Sequence, residues 1–352
     1  MNDQFRVGVS SDFVKLNADK ILQPVLDGIF GPLPHVEYEF FEHEGEVVAP
    51  REIKDYDALI ILAYRFTADS FEGVERLATI ARWGVGYDNI SAPACTEADV
   101  LLAITTDAVR RPMAESILTF LFALSRKLLQ KDKLARTGRW DLRATTSGVG
   151  LRGQVFGSVG LGNIGSEVFR LLRCFEPKRM LAHDPYATQE HAAELGVELV
   201  DLPTLFKESD FLSVICPLND ETQGMIGAEL LSLMKPTAYF INAARGGIVR
   251  EADLIAVLQE GKIAGAGIDV FEQEPTPVDN PLLKLDNVIV TPHAIAWGDD
   301  VYGTNSVDSC HNVLTVLRGE IPKYTVNKQV TERPGFQAKQ QSLRERWAAL
   351  VG

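Results

Sequence analysis

Arg245, Glu274 and His293 each stand just past the end of a short apolar run. The run 239–243 (YFINA) stops before Arg245, and 264–271 (AGAGIDVF) passes into the Glu-Gln-Glu-Pro that holds Glu274. The run 288–290 (VIV) passes into Thr-Pro-His293. A guanidinium grips an anion through a planar fork, an imidazole moves a proton near neutral pH, and a carboxylate steers the ring that does so. A parallel strand buried on both faces reads as an unbroken apolar segment, and ligands of open α/β sheets gather beyond the carboxyl ends of such strands. If the three runs are neighbouring strands, the three side chains converge on one crevice. Taken singly, each has a plainer reading: a turn histidine, a solvated arginine, a loop glutamate.

A second pattern lies upstream. Gly160-Leu-Gly162-Asn163-Ile164-Gly165 follows the apolar run 155–159 and opens a helical pattern. The first glycine permits a tight turn, the second lets backbone approach a pyrophosphate, and the third lets helix pack on strand. Asp184 ends the next apolar run, nineteen residues beyond Gly165. A carboxylate there accepts hydrogen bonds from the adenosine ribose and repels a 2′-phosphate, so the pattern predicts NAD in preference to NADP. Asp184-Pro185 as a mere turn initiator would leave the glycines without a ribose partner.

These residues need a framework, and the chain supplies alternating segments. Strand candidates in the first hundred residues are 5–9, 36–41, 58–62, 77–82 and 100–104, separated by helical patterns such as 16–29 and 68–76. They predict a small parallel α/β domain. One long helix is expected over 109–134, with Pro112 near its start and apolar residues on more than one face. Such a helix is sandwiched between domains or subunits. Six further strand candidates follow, at 155–159, 179–183, 211–215, 239–243, 265–270 and 288–291, with helical patterns between them. That series predicts a doubly wound dinucleotide domain. Residues 299–317 read as a helix returning to the first domain, and Leu343, Trp347 and Leu350 place a short amphipathic helix in the tail.

Composition narrows the function classes. A length of 352 residues argues for two domains, with 46% hydrophobic and 24% charged residues as in soluble globular proteins. The net charge of −13 speaks against nucleic acid, whose backbone demands a basic surface. The most apolar stretch, 117–124, is far short of the ~20 residues of a membrane span, and the N-terminus lacks a signal-peptide pattern. Four scattered cysteines without CxxC pairing suit a reducing cytoplasm, and no HExxH or paired Cys/His cluster points to a metal. Cys216 reads as a structural thiol.

With strands, loop and acid in place, the chain resembles the D-isomer-specific 2-hydroxyacid dehydrogenase family over residues 5–326. The markers stand in family order: ARWGVGYDNI (81–90), GLGNIG with Asp184, CPLNDET (216–222), INAARGG (241–247), DVFEQEP (269–275) and TPHA (291–294). The resemblance implies two Rossmann-like parallel-sheet domains, one flavodoxin-like and one NAD-binding and doubly wound, with a cleft between them that closes on the cofactor. Residues 1–107 and 298–330 would bind substrate, 108–297 would bind NAD, and 331–352 would form a tail.

The resemblance makes His293 the acid/base, Glu274 its partner on the far ring nitrogen, and Arg245 the anchor for a 2-oxo acid's carboxylate and carbonyl. It implies that backbone N–H groups of Val85 and Gly86 grip the carboxylate and that Asp269 meets the nicotinamide carboxamide. Cys216, Pro217 and Thr222 would line the adenosine side, with Ala243, Ala244, Arg245, His293 and Ala296 also touching cofactor. Arg65, Arg110 and Arg111 are candidates for reading a second polar group on the substrate, beside the plainer reading as surface charge. After His293 many members carry a glycine-rich continuation, whereas this chain has Ala-Ile-Ala-Trp297, whose indole either roofs the pocket or packs between domains.

The function expected is reduction of a short 2-oxo acid to its D-2-hydroxy acid, or the reverse. A formate oxidiser is disfavoured because those relatives pair the histidine with glutamine, and a phosphorylated substrate because no extra basic cluster is evident. An NAD(H)-sensing corepressor-like binding protein of the same fold is the alternative. The helix at 109–134, with Trp140 beyond it, resembles the family's dimer-forming segment, so a homodimer is expected.

Overall fold

Among the described residues, twelve parallel strands, most of them apolar runs, form two sheets. The computed structural model describes residues 4–351, in two units. The first runs to Val109 and resumes at Trp297; the second is Arg110–Ala296.

In the first unit the strands are β1 (Phe5–Ser10), β2 (Val36–Phe41), β3 (Ala58–Ile61), β4 (Thr79–Arg82) and β5 (Leu101–Ala103), in the order β2-β1-β3-β4-β5. β3 is buried at every position, whereas the edge strand β2 exposes its glutamates. Asn327 closes the other edge, its amide bonding Leu102 N–H and Val100 C=O, as an uncovered sheet edge requires. The helix Asp299–Leu317 returns to this unit and packs on the helix Asp19–Phe30 and on β3 and β4. The expected helix at 68–76 is reduced to the 3-10 turn Ala68–Phe71.

Residues 334–351 form a helix on the amino-terminal edge of the same sheet. Phe336 and Leu343 are buried, and Trp347 packs against Phe5 and His35 with ring centroids 5.6 and 4.8 Å apart. Lys339 Nζ donates to the carbonyls of Leu77, Ala98 and Asp99, while burial pulls its ammonium pKa down. Buried Asp57 accepts from Arg346 at 2.7 Å, from Arg76 at 2.6 Å and from the Arg6 N–H at 2.8 Å.

The second unit holds β6 (Val155–Val159), β7 (Arg179–His183), β8 (Glu198–Leu199), β9 (Phe211–Val214), β10 (Tyr239–Asn242), β11 (Gly265–Ile268) and β12 (Val288–Val290). Their order is β12-β11-β10-β9-β6-β7-β8. β8, absent from the sequence reading, is a two-residue edge strand beside β7, too short to show a pattern. The three apolar runs that precede Arg245, Glu274 and His293 are the neighbouring strands β10, β11 and β12.

The single helix expected over 109–134 is two, Thr106–Ser125 and Leu128–Arg136. Lys127 between them turns left-handed at φ 50°, and the Ser125 carbonyl accepts from Val149 N–H at 2.8 Å. A helix whose carbonyl is diverted to another segment stops there. Pro112 lies inside the first of these helices, not at its start. No helix of the described residues is long and apolar enough to cross a membrane.

Asp57→Ala leaves Arg76 and Arg346 without their shared carboxylate, and breaking a buried ion pair from one side costs about 3 kcal/mol. A urea melt followed by Trp fluorescence is expected to show earlier unfolding of the first unit, with Arg346→Ala shifting it in the same direction by less.

Candidate active site

The glycine loop 160–165 has the shape a pyrophosphate needs. Gly160 sits at φ 104°, and a Cβ there would lie 3.0 Å from the Cys216 N atom. A Cβ on Gly165 would lie 2.7 Å from the Gly160 carbonyl oxygen, so helix and strand meet at that point. A Cβ on Gly162 would meet nothing within 4 Å, which leaves this face of the backbone open to a ligand. Gly162 caps the helix Asn163–Leu172 without a side-chain hydrogen bond, so the first-turn amides of Asn163 and Ile164 point outward with the positive end of the helix dipole behind them. These features fit a dinucleotide.

Asp184 follows β7. Its Oδ2 accepts from Leu161 N–H at 2.8 Å and its Oδ1 from Tyr186 N–H at 2.9 Å, which leaves lone pairs on both oxygens for ribose hydroxyls. Cys216 and Pro217 follow β9 on the opposite side of β6. Burial pushes the Cys216 thiol up to about 11, consistent with a structural thiol. The Thr222 hydroxyl donates to the Pro217 carbonyl at 2.7 Å and accepts from Asn219 N–H at 2.9 Å, so it shapes the loop it belongs to.

Arg245 lies three residues beyond β10. Asn242, the last residue of that strand, holds the turn at both ends: Nδ2 donates to the Arg245 carbonyl at 3.0 Å and Oδ1 accepts from Ala244 N–H at 3.1 Å. Ala243 is buried beside them. Gly246 permits a close approach, because a Cβ there would lie 1.9 Å from the Phe271 carbonyl oxygen. The Arg245 turn therefore lies directly on the segment that leads to Glu274.

His293 Nδ1 is 2.7 Å from Glu274 Oε2, and Glu274 Oε1 accepts from Phe271 N–H at 3.0 Å. Burial alone would raise the Glu274 pKa. The hydrogen bonds from His293 and Phe271 and the positive charges of His293 and Arg245 outweigh it and hold the carboxyl below its ordinary value. His293 takes φ 54°, left-handed for a non-glycine residue, a conformation that costs about 1–3 kcal/mol and persists where its surroundings impose it. Asp269 imposes it. Its carbonyl oxygen accepts from His293 N–H at 2.7 Å. Its Oδ1 accepts from Thr291 Oγ1 at 2.6 Å, Ala294 N–H at 3.0 Å and Ile295 N–H at 3.1 Å. Ala296 follows directly in this loop.

Val85, Gly86 and Arg65 belong to the first unit. The loop 84–86 is fixed by a bond from Gly84 N–H to Thr105 Oγ1 at 2.8 Å, after a buried Trp83 that packs on Phe13 and Tyr302. Trp297 packs edge-on against Tyr302, with 38% of its surface exposed. Arg65 is paired with Glu46 at 2.8 Å on the surface. Among the positioning residues, Asn242 and Thr291 escaped the sequence reading; their only signal was a polar residue where an apolar run ends.

The model of the D-isomer specific 2-hydroxyacid dehydrogenase NAD binding domain matches residues 118–294. A glyoxylate reductase of Korarchaeum cryptofilum is 37% identical over 312 residues, 86% of this chain and 94% of that protein. A D-lactate dehydrogenase from Aquifex aeolicus, solved with NAD and lactic acid, superposes with a TM-score of 0.79 at 25% identity, covering 91% of this chain and 99% of that one. An acyclic imino acid reductase, solved with NADPH and D-Arg, superposes with a TM-score of 0.76 at 26% identity, covering 86% and 95%.

Asp269→Ala removes the acceptor of three donors and frees the His293 loop. Hydrogen exchange of the Ala294 and Ile295 amides is expected to accelerate by at least about tenfold, on the scale of one lost hydrogen bond each, while amides of β9 and β10 stay protected.

Proposed function

This chain belongs to the D-isomer specific 2-hydroxyacid dehydrogenase family, and we propose that it reduces a short 2-oxo acid to the D-2-hydroxy acid with NADH. The observation that carries this reading is the 2.7 Å contact between His293 and Glu274, with Arg245 close enough for its charge to act on the carboxylate. With its pyrophosphate held at the loop 160–165, NADH would supply the hydride from its nicotinamide ring. His293 supplies the proton to the substrate carbonyl from Nε2, the ring nitrogen that Glu274 does not hold. Glu274, ionised at neutral pH, keeps the Nδ1 proton in place and stabilises the imidazolium before transfer. Arg245 takes the substrate carboxylate and polarises the carbonyl through its fork. Val85 and Gly86 keep the carboxylate-binding role that the family resemblance gives them, and Asp269 that of nicotinamide contact.

Glyoxylate is the first candidate substrate, on the likeness to the Korarchaeum cryptofilum enzyme, with hydroxypyruvate next. Asp184 favours NAD, since a 2′-phosphate would face its carboxylate. The four free cysteines support a cytoplasmic location. The assembled acid/base pair and the enzymes among the relatives favour turnover over an NAD(H)-sensing role.

His293→Ala is expected to lower kcat by about 10²–10⁴-fold and Arg245→Ala kcat/KM by about 10²–10³-fold, with NADH binding retained by fluorescence titration. Glu274→Gln keeps a hydrogen bond but loses the charge, so the pH above which reduction fails should move down. Near-normal glyoxylate or hydroxypyruvate reduction by the His293 variant would sink the acid/base assignment.

A homodimer completes the proposal. Phe122, Leu128, Leu129, Trp140 and Val149 are exposed on the second unit, Trp140 to 64%. An apolar group of this kind marks an interaction surface. Light scattering should give twice the chain mass of 38.8 kDa, and Leu129→Asp with Trp140→Asp should return it to one.

A further inference from the structure

Tyr186 and Glu221 take no part in the chemistry above, yet their side chains meet: the phenol donates to Glu221 Oε2 at 2.7 Å. Tyr186 follows β7 and Glu221 follows β9, and these strands flank β6 on its two sides. With neighbouring strands about 4.8 Å apart, the outer two are roughly 10 Å apart. The bond between the loops that follow them therefore crosses the carboxyl end of β6, where the glycine loop begins.

Both ends of the crossing are held by their own turns. Tyr186 is presented by its N–H bond to Asp184 Oδ1 at 2.9 Å. Glu221 is presented by Asn219, whose Oδ1 accepts from Glu221 N–H and Thr222 N–H, each at 3.0 Å. Packing does little to fix the Tyr186 side chain, since the residue is 77% exposed. Its hydroxyl feels the carboxylates of both Glu221 and Asp184, which raise its pKa. An exposed aromatic ring and a second carboxylate thus stand beside the residue that reads the ribose.

We infer that Tyr186 and Glu221 form a strap across the adenosine end of the cofactor site. The ring covers the bound adenosine ribose, and the Glu221 carboxylate adds a second negative charge against a 2′-phosphate. This rests on the NAD-binding reading above and assigns its selectivity to two residues besides Asp184. The two functions of the strap separate by substitution. Tyr186→Phe removes the bond and keeps the charge; Glu221→Gln keeps a hydrogen-bonding partner and removes the charge.

The test is binding of NADH and NADPH to the full chain by fluorescence titration, with release followed by stopped flow. Tyr186→Phe should weaken both cofactors alike, by about fivefold, the scale of one hydrogen bond, with faster release. Glu221→Gln should tighten NADPH by about tenfold, the scale of one near charge partly screened by solvent, and leave NADH within about twofold. If both variants bind both cofactors as the parent does, the strap is wrong while NAD binding stands. If the parent binds neither cofactor, the NAD reading fails and takes the strap with it.

Discussion

Asp269 is exposed to only 3%, yet one of its oxygens receives three donors from the single loop 291–295. Its backbone carbonyl receives a fourth, from His293 N–H. Burial raises its pKa, so the carboxylate is tolerated there only because those donors surround it. The loop in turn has no regular structure of its own to hold it. The left-handed turn at His293, the aim of its ring at Glu274, and through Glu274 the charge balance with Arg245, all follow from this one anchor at the end of β11.

Glu274 shows how the surroundings decide the sign of a charge effect. The burial it has would by itself push it toward the protonated form. Two donors and two neighbouring positive charges reverse that, and its folded-state pKa lies below the ordinary 4.5. The stabilisation it lends is therefore fully present above the ordinary carboxylate value and is lost only as pH falls through the lower folded one. Across the neutral range the histidine faces a constant partner.

The places of Arg245, Glu274 and His293 at neighbouring strand ends were legible because each follows a strand whose apolar run stands out against polar loop. The glycine loop was legible because turn, approach and packing each demand glycine at a fixed offset. The break at Lys127 was not, since it depends on Val149 N–H capturing the Ser125 carbonyl, a contact with no periodicity. Pairs such as Tyr186 with Glu221, or Asp57 with Arg346, join loops and helices far apart in sequence. Nothing in a local pattern records which distant partner a polar side chain will find.

The first unit is written in two pieces of chain, and its opening strand is sealed by the helix 334–351. During synthesis the second unit, continuous in sequence, has all its strands once residue 290 has been made. The first must wait, with Phe5 and Asp57 uncovered, until Arg346 and Trp347 have left the ribosome. Within this stretch of chain the second unit can therefore close its sheet while Phe5 and Asp57 still await their partners, a surface of the kind chaperones bind.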